Sequence, residues 1–320
     1  MDMYPIGIIT CNRIDHLREC IESLQKNFLA KSTDLYISVD CPPSEKYLEG
    51  YNKVISYLDG GIDGFRNVYI FKQEKNLGHE LNCYWLEDKI FEDHDAFIYT
   101  EDDNVFSPNF LEYCNKCIEK HREDDKCFGV CGHLYPVEFK YGNNDVAKMY
   151  NDFDAWGYAI FRDKTLTARK YILGDDFINA SKNRVLMKKL LKKNARLFCY
   201  YVDNLYRKVR VMKSDIGITR VFDITMAIYC IFNDMYNLVP DETKARNNGW
   251  DGSGFNCPPG TDVYKWADQP IDQDDRFEYH YDICDDDNNF NISVMKDYHH
   301  ENFLHVSKRV FMLWLYNIRH

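Results

Sequence analysis

The sequence predicts an α/β fold built on a mostly parallel sheet. Two observations carry that prediction. Short apolar runs recur along the first hundred residues, each ending in a polar cluster, and stretches of helical period separate them. In sheets of this kind ligands bind outside the carboxyl ends of the strands. The polar clusters are therefore the first place to look for chemistry.

The elements follow in order. Pro5-Ile6-Gly7-Ile8-Ile9-Thr10 reads as a first strand, followed by Cys11-Asn12-Arg13 and a helical pattern from Asp15 through Leu24. Leu35 to Val39 is a second strand, ending in Asp40 and the turn Cys41-Pro42-Pro43. A third, Val68 to Phe71, leads to Asn76-Leu77-Gly78-His79-Glu80. The fourth is Ala96-Phe97-Ile98, running on into Tyr99-Thr100-Glu101-Asp102-Asp103. Ser107 and Pro108 read as N-cap and first position of the next helix.

Three adjacent carboxylates at a strand end repel one another, and a divalent cation relieves that repulsion. Oxygen ligands suit Mg²⁺ or Mn²⁺, and such an ion is able to hold a diphosphate as leaving group. A solvated acidic turn is the plainer reading of Glu101 to Asp103 alone. The convergence of Thr10 to Arg13, Asp40, Asn76 to Gly78 and Glu101 to Asp103 on one sheet edge favours a site.

Length and charge narrow the class. The chain has 320 residues, 45% hydrophobic and 15% aromatic, enough for a sizeable core. No apolar run is long enough to span a bilayer, and the first strand begins where a secretory leader would sit. Twelve cysteines lack any repeated pair spacing. Cys114 and Cys117 read as buried helix residues rather than half of a zinc site, and a reducing cytoplasm is the expected compartment.

The net charge is −11 and unevenly spread. Residues 182–213 carry +10 against −21 for the remainder, with Lys188, Lys189, Lys192 and Lys193 among leucines at helical spacing. Two basic amphipathic helices are expected there, either a solvated hairpin or a patch for an anionic membrane surface. The acidic remainder and the lack of a base-reading motif argue against nucleic acid. Residues 268–287 are the opposite extreme, nine acids against Arg276, and lack the Asp-x-Asp-x-Asp-Gly pattern of a calcium loop. A solvated loop is expected there. Phe303 to Ile318 reads as an apolar helix for which packing on the core is favoured and entry into lipid is the alternative.

The series Ile-Thr-Cys-Asn-Arg, Val-Asp, Asn-Leu-Gly and Glu-Asp-Asp resembles the nucleotide-sugar half of GT-A glycosyltransferases. It is most similar to bacterial family-2-like enzymes that build surface polysaccharides. The carboxylate segment with Ser107 to Tyr113 also resembles that of N-acetylglucosaminyltransferase I. Asp154-Ala155-Trp156-Gly157-Tyr158-Ala159 is similar to the family's Trp-Gly-Trp-Ala segment, Val221-Phe222-Asp223 to its later Trp-Asp, and Ala245 to Gly254 to a late Asn-x-Gly-Phe loop. The order of these loose motifs, over residues 4–257, is the specific signal.

The resemblance implies a Rossmann-like GT-A fold with helices on both faces. Residues 1–131 would form the nucleotide-sugar half and 132–320 a helical acceptor half. It implies inverting transfer from a nucleotide-diphosphate sugar, a UDP-sugar in the first instance, to a saccharide acceptor, lipid-linked or free. It assigns Asp103 to Mn²⁺ or Mg²⁺, and Glu101 and Asp102 to the ribose and donor sugar. It places Asp40 and the Thr10, Asn12 and Arg13 loop around the base, with Asn76 and Gly78 beside them. Asp223 takes the position of the catalytic base.

The residues themselves support Asp223 in part. It opens an apolar helical run, and the helix dipole there favours an ionised carboxylate. A helix cap is the plainer reading, and Asp154 and Asp152 are alternative bases. Trp156 fits either a sugar platform or the core. His16 and His79 read as surface residues. The family's late loop is usually followed by a histidine; here Asn256-Cys257 stand there, and His280, His299, His300, His305 or water would have to complete the metal shell.

Two other classes compete. A nucleotidyltransferase that makes nucleotide sugars normally has a glycine-rich phosphate loop after the first strand, and Thr10 to Arg13 contains no glycine. A non-catalytic carbohydrate- or lipid-surface module would not need Glu101 to Asp103 intact.

Overall fold

The computed structural model describes residues 3–142, 144–206, 212–214, 217–219, 221–253, 269–280 and 285–320. Its centre is an eight-stranded sheet. Strands β1 (Ile6–Thr10), β2 (Leu35–Val39), β3 (Val68–Lys72) and β4 (Ala96–Glu101) are the four expected from the sequence. They pair in parallel, with β1 between β2 and β4 and β3 outside β2.

The chain thus winds outward from β1 to β3 and returns to the other side of β1. That reversal opens a crevice beyond Thr10 and Glu101, at the carboxyl ends of β1 and β4. Helices α1 (Ile14–Gln25), α2 (Leu48–Asp59) and α3 (His79–Phe91) make the crossovers.

Alternation along the strands sets the two faces. Ile6 and Ile8 of β1 and Ala96 and Ile98 of β4 pack with Leu17 and Ile21 of α1 and Val54 and Leu58 of α2. Ile9, Phe97 and Tyr99 pack the other way, with Leu86 and Ile90 of α3. Both faces are covered, which explains why β1, β2 and most of β4 read as continuous apolar runs.

The sheet does not stop at residue 131. Beyond α4 (Phe110–His121) come β6 (Cys127–Cys131), β7 (Val146–Met149) and β8 (Tyr158–Phe161). Strand β8 inserts antiparallel between β4 and β6, and β11 (Tyr236–Pro240) pairs parallel to β6 and antiparallel to β7. The two expected halves therefore share one sheet, with β3-β2-β1-β4-β8-β6-β11-β7 as its order.

Helices α5 (Arg162–Leu173), α6 (Asp175–Asn179), α7 (Arg184–Lys193), α8 (Ala195–Leu205) and α9 (Phe222–Asn233) build the helical part on the α3 face. Short strands β9 (Met212–Ser214) and β10 (Gly217–Thr219) form a separate ribbon, and α10 (Asp285–Tyr298) and α11 (Phe303–Arg319) end the described chain. The basic stretch does form two helices, but only α7 is basic; α8 sets Arg196 against Asp203. Arg207, Lys208 and Arg210 lie outside the described residues.

Three expectations are corrected. Helix α4 starts at Phe110, not at Pro108: Pro108 and Asn109 form a turn, and ahead of it β5 (Asn104–Phe106) pairs with β12 (Ala245–Asn247). Ser107 does not cap the helix; its hydroxyl donates to Asn109 Oδ1 at 2.8 Å. The acidic segment is not simply solvated either. Asp272 is buried against Lys244 and accepts from Asn109 Nδ2 at 2.7 Å. Asp268, Asp282 and the side chains of Asp285 to Asp287 lie outside the described residues.

The third concerns α11, which buries only Met312 and Leu313 and leaves much of its apolar side in solvent. No helix among the described residues is long and apolar enough to cross a membrane. The ten cysteines among them are free, with Cys114 and Cys117 buried in α4.

Candidate active site

Loop β1–α1 and the end of β4 meet around one guanidinium. Arg13 Nη1 donates to Asp103 Oδ2 at 2.8 Å, and Nη2 contacts Asp102 Oδ1. Thr10 Oγ1 donates to the other oxygen of Asp102 at 2.7 Å. The charge repulsion read from the sequence is therefore real and is relieved partly from within the chain. Burial opposes the charge on Arg13, but the three carboxylates outweigh it and hold the guanidinium ionised.

The third carboxylate has its own partner. Glu101 Oε1 lies 2.9 Å from His79 Nε2. Burial lowers the imidazole pKa, and the carboxylate more than offsets it, so His79 is raised above its ordinary value. Burial likewise raises Glu101, and His79 and Arg13 bring it below the usual range. His79 is exposed at the start of α3, as expected of a surface residue; what the sequence did not show is its pairing with Glu101 beside both cavities. His16 lies 3.5 Å from Asp251 instead.

Asp40 holds the next loop. Its Oδ1 accepts from Leu77 N at 2.8 Å, and its Oδ2 from Gly78 N at 2.9 Å and Asn76 Nδ2 at 3.0 Å. Gly78 has φ of +76°, a conformation that favours glycine, and so turns the chain into α3. Burial raises the Asp40 carboxyl against these backbone donors.

Two adjoining cavities result. The smaller, of about 140 Å³, is lined by Thr10, Asn12, Arg13, Asp40 and Asp102. The larger, of about 540 Å³, is lined by Asp103, Asp154 and Asp223. His79 and Glu101 belong to both. Asn76 and Gly78 line neither and act only through Asp40. Eight of the expected residues thus line one or the other void, together with the shared Glu101.

Asp103, the expected metal ligand, lines the larger cavity. Burial pushes its carboxyl up to about 6; Arg13 works against this, and Glu101 and Asp102 add to it. A buried carboxylate with two carboxylate neighbours and one guanidinium partner is chemically able to take a divalent ion. No three His, Cys, Asp or Glu side chains converge among the described residues. A Mg²⁺-type site does not require that, since one or two carboxylates with substrate phosphates and water suffice. Asn247 Nδ2 braces Asp103 Oδ1 at 2.9 Å.

The far wall carries the residues expected on the acceptor side. Asp223 stands one residue inside α9, whose cap, Val221, makes no side-chain bond. Its pKa is pushed up to about 6: burial dominates, the Ile224 N–H opposes it, and Asp152 and Asp154 raise it while Arg196 lowers it. Desolvation thus outweighs the helix dipole, which the sequence had favoured.

Asp154 is otherwise engaged. Its Oδ2 lies 2.9 Å from His133 Nδ1, and its Oδ1 accepts from Trp156 N at 2.9 Å. Asp152 contacts His299 and caps Phe153 N. Trp156 and Trp250 rim the cavity edge to face, 6.0 Å apart.

Several lining groups were not singled out by sequence. Tyr135 follows β6, and Arg196 and Tyr200 come from α8. Glu80 Oε2 and Trp250 Nε1 are buried with no hydrogen-bond partner among the described residues. Glu80 follows His79 at the start of α3, and no local pattern separates it from an exposed helix acid. Of the candidate histidines, His280 pairs with Asp145, His299 with Asp152 and His305 with Glu301; none of them, nor His300, lines either cavity. Asn256-Cys257 lie outside the described residues.

No protein-family model and no curated protein matches the chain. Among solved structures, residues 1–349 of S. aureus TarS are similar over 75% of this chain and 59% of that one, at 10% identity and TM-score 0.39. The same protein in complex with UDP is similar over 54% and 51%, at 13% identity and TM-score 0.37. The mannosyltransferase PcManGT from Pyrobaculum calidifontis, in complex with GDP-Man and Mn²⁺, is similar over 50% and 45%, at 10% identity and TM-score 0.35. In each case the match spans less than two-thirds of the neighbour's length. Likeness this partial carries no assignment of activity.

Proposed function

We propose that the chain is an inverting glycosyltransferase, moving a sugar from a nucleotide-diphosphate donor to a saccharide hydroxyl. One observation carries the reading. Asp103 and Asp223 face the same cavity, which also holds the unpartnered Glu80 Oε2 and Trp250 Nε1 and adjoins a second polar cavity at the strand switch point. A polyhydroxyl ligand supplies the donors and acceptors that such a wall lacks.

The roles follow from position. The smaller cavity takes the nucleoside against Thr10, Asn12 and the Asp40-braced loop. Asp103 would hold Mn²⁺ or Mg²⁺, which when bound neutralises charge on the diphosphate leaving group. Arg13 stands beside Asp103 and adds a second positive charge there. Glu101 and Asp102 border the ribose and donor sugar.

Asp223 acts as base. It takes the proton of the acceptor hydroxyl as the oxygen attacks the anomeric carbon and the bond to the diphosphate breaks. A carboxylate titrating near 6 is a stronger base than an ordinary one and is still mostly ionised at neutral pH. Asp154, bonded to His133 and Trp156, positions the aromatic rim instead.

The test is a panel of UDP-, GDP- and CDP-sugars with Mn²⁺, read first as thermal stabilisation and then as transfer to saccharides. A bound donor raises the midpoint by mass action. Stabilisation by one donor with sugar transfer supports the reading. Pyrophosphate release from a nucleoside triphosphate and sugar phosphate would replace it with the nucleotidyltransferase.

A further inference from the structure

Helix α11 packs on the body by one side only. Met312 and Leu313 are buried, Arg309 Nη2 pairs with Asp203 of α8 at 2.9 Å, and Tyr206 Oη donates to the Met312 carbonyl at 2.6 Å. The other side is apolar and open. Phe303 is 80% exposed, Leu304 76%, Phe311 57%, Trp314 56% and Ile318 62%, with Val310 beside them. At 100° per residue these six fall within an arc of about 120°. A helix that merely covered a core would turn this arc inward.

The arc has a charged border. Lys308 and Arg319 lie along one flank of it on the helix itself. Its end abuts the start of α7: Asn317 Nδ2 donates to the Ser181 carbonyl at 2.9 Å, and Lys182 Nζ to the His320 carbonyl at 3.2 Å. From there Arg184, Lys188 and Lys192 continue as an exposed row, with Val185, 74% exposed, among them. Arg184, Lys188, Lys192, Lys308 and Arg319 make no ion pair among the described residues, whereas Lys189 and Lys193 are spent on Asp234. The rest of the chain is acidic, so these cations are not there to balance neighbours.

We infer that α11 and the exposed row of α7 form one docking surface for an anionic lipid membrane. The aromatic and aliphatic arc enters the interface between headgroups and acyl chains, and the cations pair with anionic headgroups. The charge selects this occupant. A purely apolar partner, or a second copy of the same basic face, would leave the cations unpaired or facing one another. Helix α8, which lies beneath α11, carries Arg196 and Tyr200 to the cavity wall. If the proposed transfer holds, docking would bring the cavity to a lipid-borne acceptor; the docking itself does not depend on that reading.

The experiment is flotation of the full chain with vesicles of phosphatidylcholine alone or mixed with phosphatidylglycerol, without substrate. Binding is expected to the mixed vesicles only, and to weaken sharply as salt screens the cations. Replacing Arg184, Lys188 and Lys192 by Gln should weaken it at least about tenfold. Phe311→Ser with Trp314→Ser should weaken it comparably while the melting temperature holds, since both side chains are exposed. Absence of binding to the mixed vesicles at low salt would overturn the proposal. So would binding untouched by both sets of changes, or a dimer in solution that the Phe311/Trp314 pair disrupts without any vesicle binding. A protein that floats yet transfers no sugar keeps the docking surface and loses the proposed reaction.

Discussion

Gly249 approaches Asp103 so closely that a β-carbon on it would stand 2.3 Å from Asp103 Oδ2. The glycine is required by this contact, since its backbone is not in the left-handed region. Asn247 Oδ1 also accepts from Gly249 N at 2.8 Å, so one loop both crowds and braces the carboxylate. Gly249→Ala must therefore move Asp103 or the loop. Transfer should fall at least about a hundredfold, the scale on which misplaced catalytic geometry acts, with the melting temperature nearly unchanged. Steady-state kinetics beside a thermal melt check it; normal transfer by the alanine variant would show that Asp103 need not stay where it is.

Asp103→Asn keeps the shape and removes the charge. Loss of transfer by at least about a hundredfold is expected, as for removal of a major electrostatic stabiliser. Stabilisation by donor should also lose its dependence on Mn²⁺. Undiminished wild-type activity in EDTA would rule out the metal at this residue.

The pH profile follows from Asp223. A base acts in its ionised form, and this carboxyl titrates at about 6. The second-order rate should therefore climb with pH through about 6 and level off above it, rather than near 4 as for an ordinary aspartate. Asp223→Asn should lose transfer and the climb together while donor binding stays. A folded Asp223→Asn variant that transfers normally would pass the role to Asp154.

Stability in acid should depend on Glu112. It pairs with Arg276 at 2.7 Å and Lys116 at 3.1 Å and accepts from Phe277 N at 2.9 Å, which ties residues 269–280 to α4. Burial raises its pKa, but these donors win and bring it down to about 2. A folded-state pKa below the unfolded value gives stability that is present above about 4.5 and lost as pH falls toward 2. Glu112→Gln should cost about 1–3 kcal/mol at neutral pH, the scale of a charged hydrogen bond, and almost nothing near pH 2. Denaturant titrations at the two pH values measure the difference.

The sheet edge was legible because its signals are local. Each apolar run of β1, β2 and β4 is buried on both faces, and each polar cluster directly follows a strand. What stayed hidden is long-range. The pairing of β5 with β12 joins residues 104–106 to 245–247, and nothing near Asn104 announces it. His79 and Glu101 meet only after the crossover is made. The Asp223 carboxyl was read from its helix terminus, a local feature, while its titration is set by the wall that buries it. The outward face of α11 follows the same logic, because periodicity gives a stripe and cannot say which way it points.

Strand β8 also bears on how this chain could be divided. It arrives late in sequence yet holds the flank of β4, with Ile98 opposite Ala159 and Phe97 opposite Ile160. A fragment ending near residue 131 would keep every side chain of the smaller cavity and still leave β4 with a bare edge and Tyr99 without its neighbour Tyr158. Such an edge invites other chains to add to it. Residues 1–131 thus share their sheet with the rest of the chain. Folding must bring residues from the start and from the middle of the chain to β4, and a fusion or a crossover between relatives would succeed only if it exchanged β4 and β8 together.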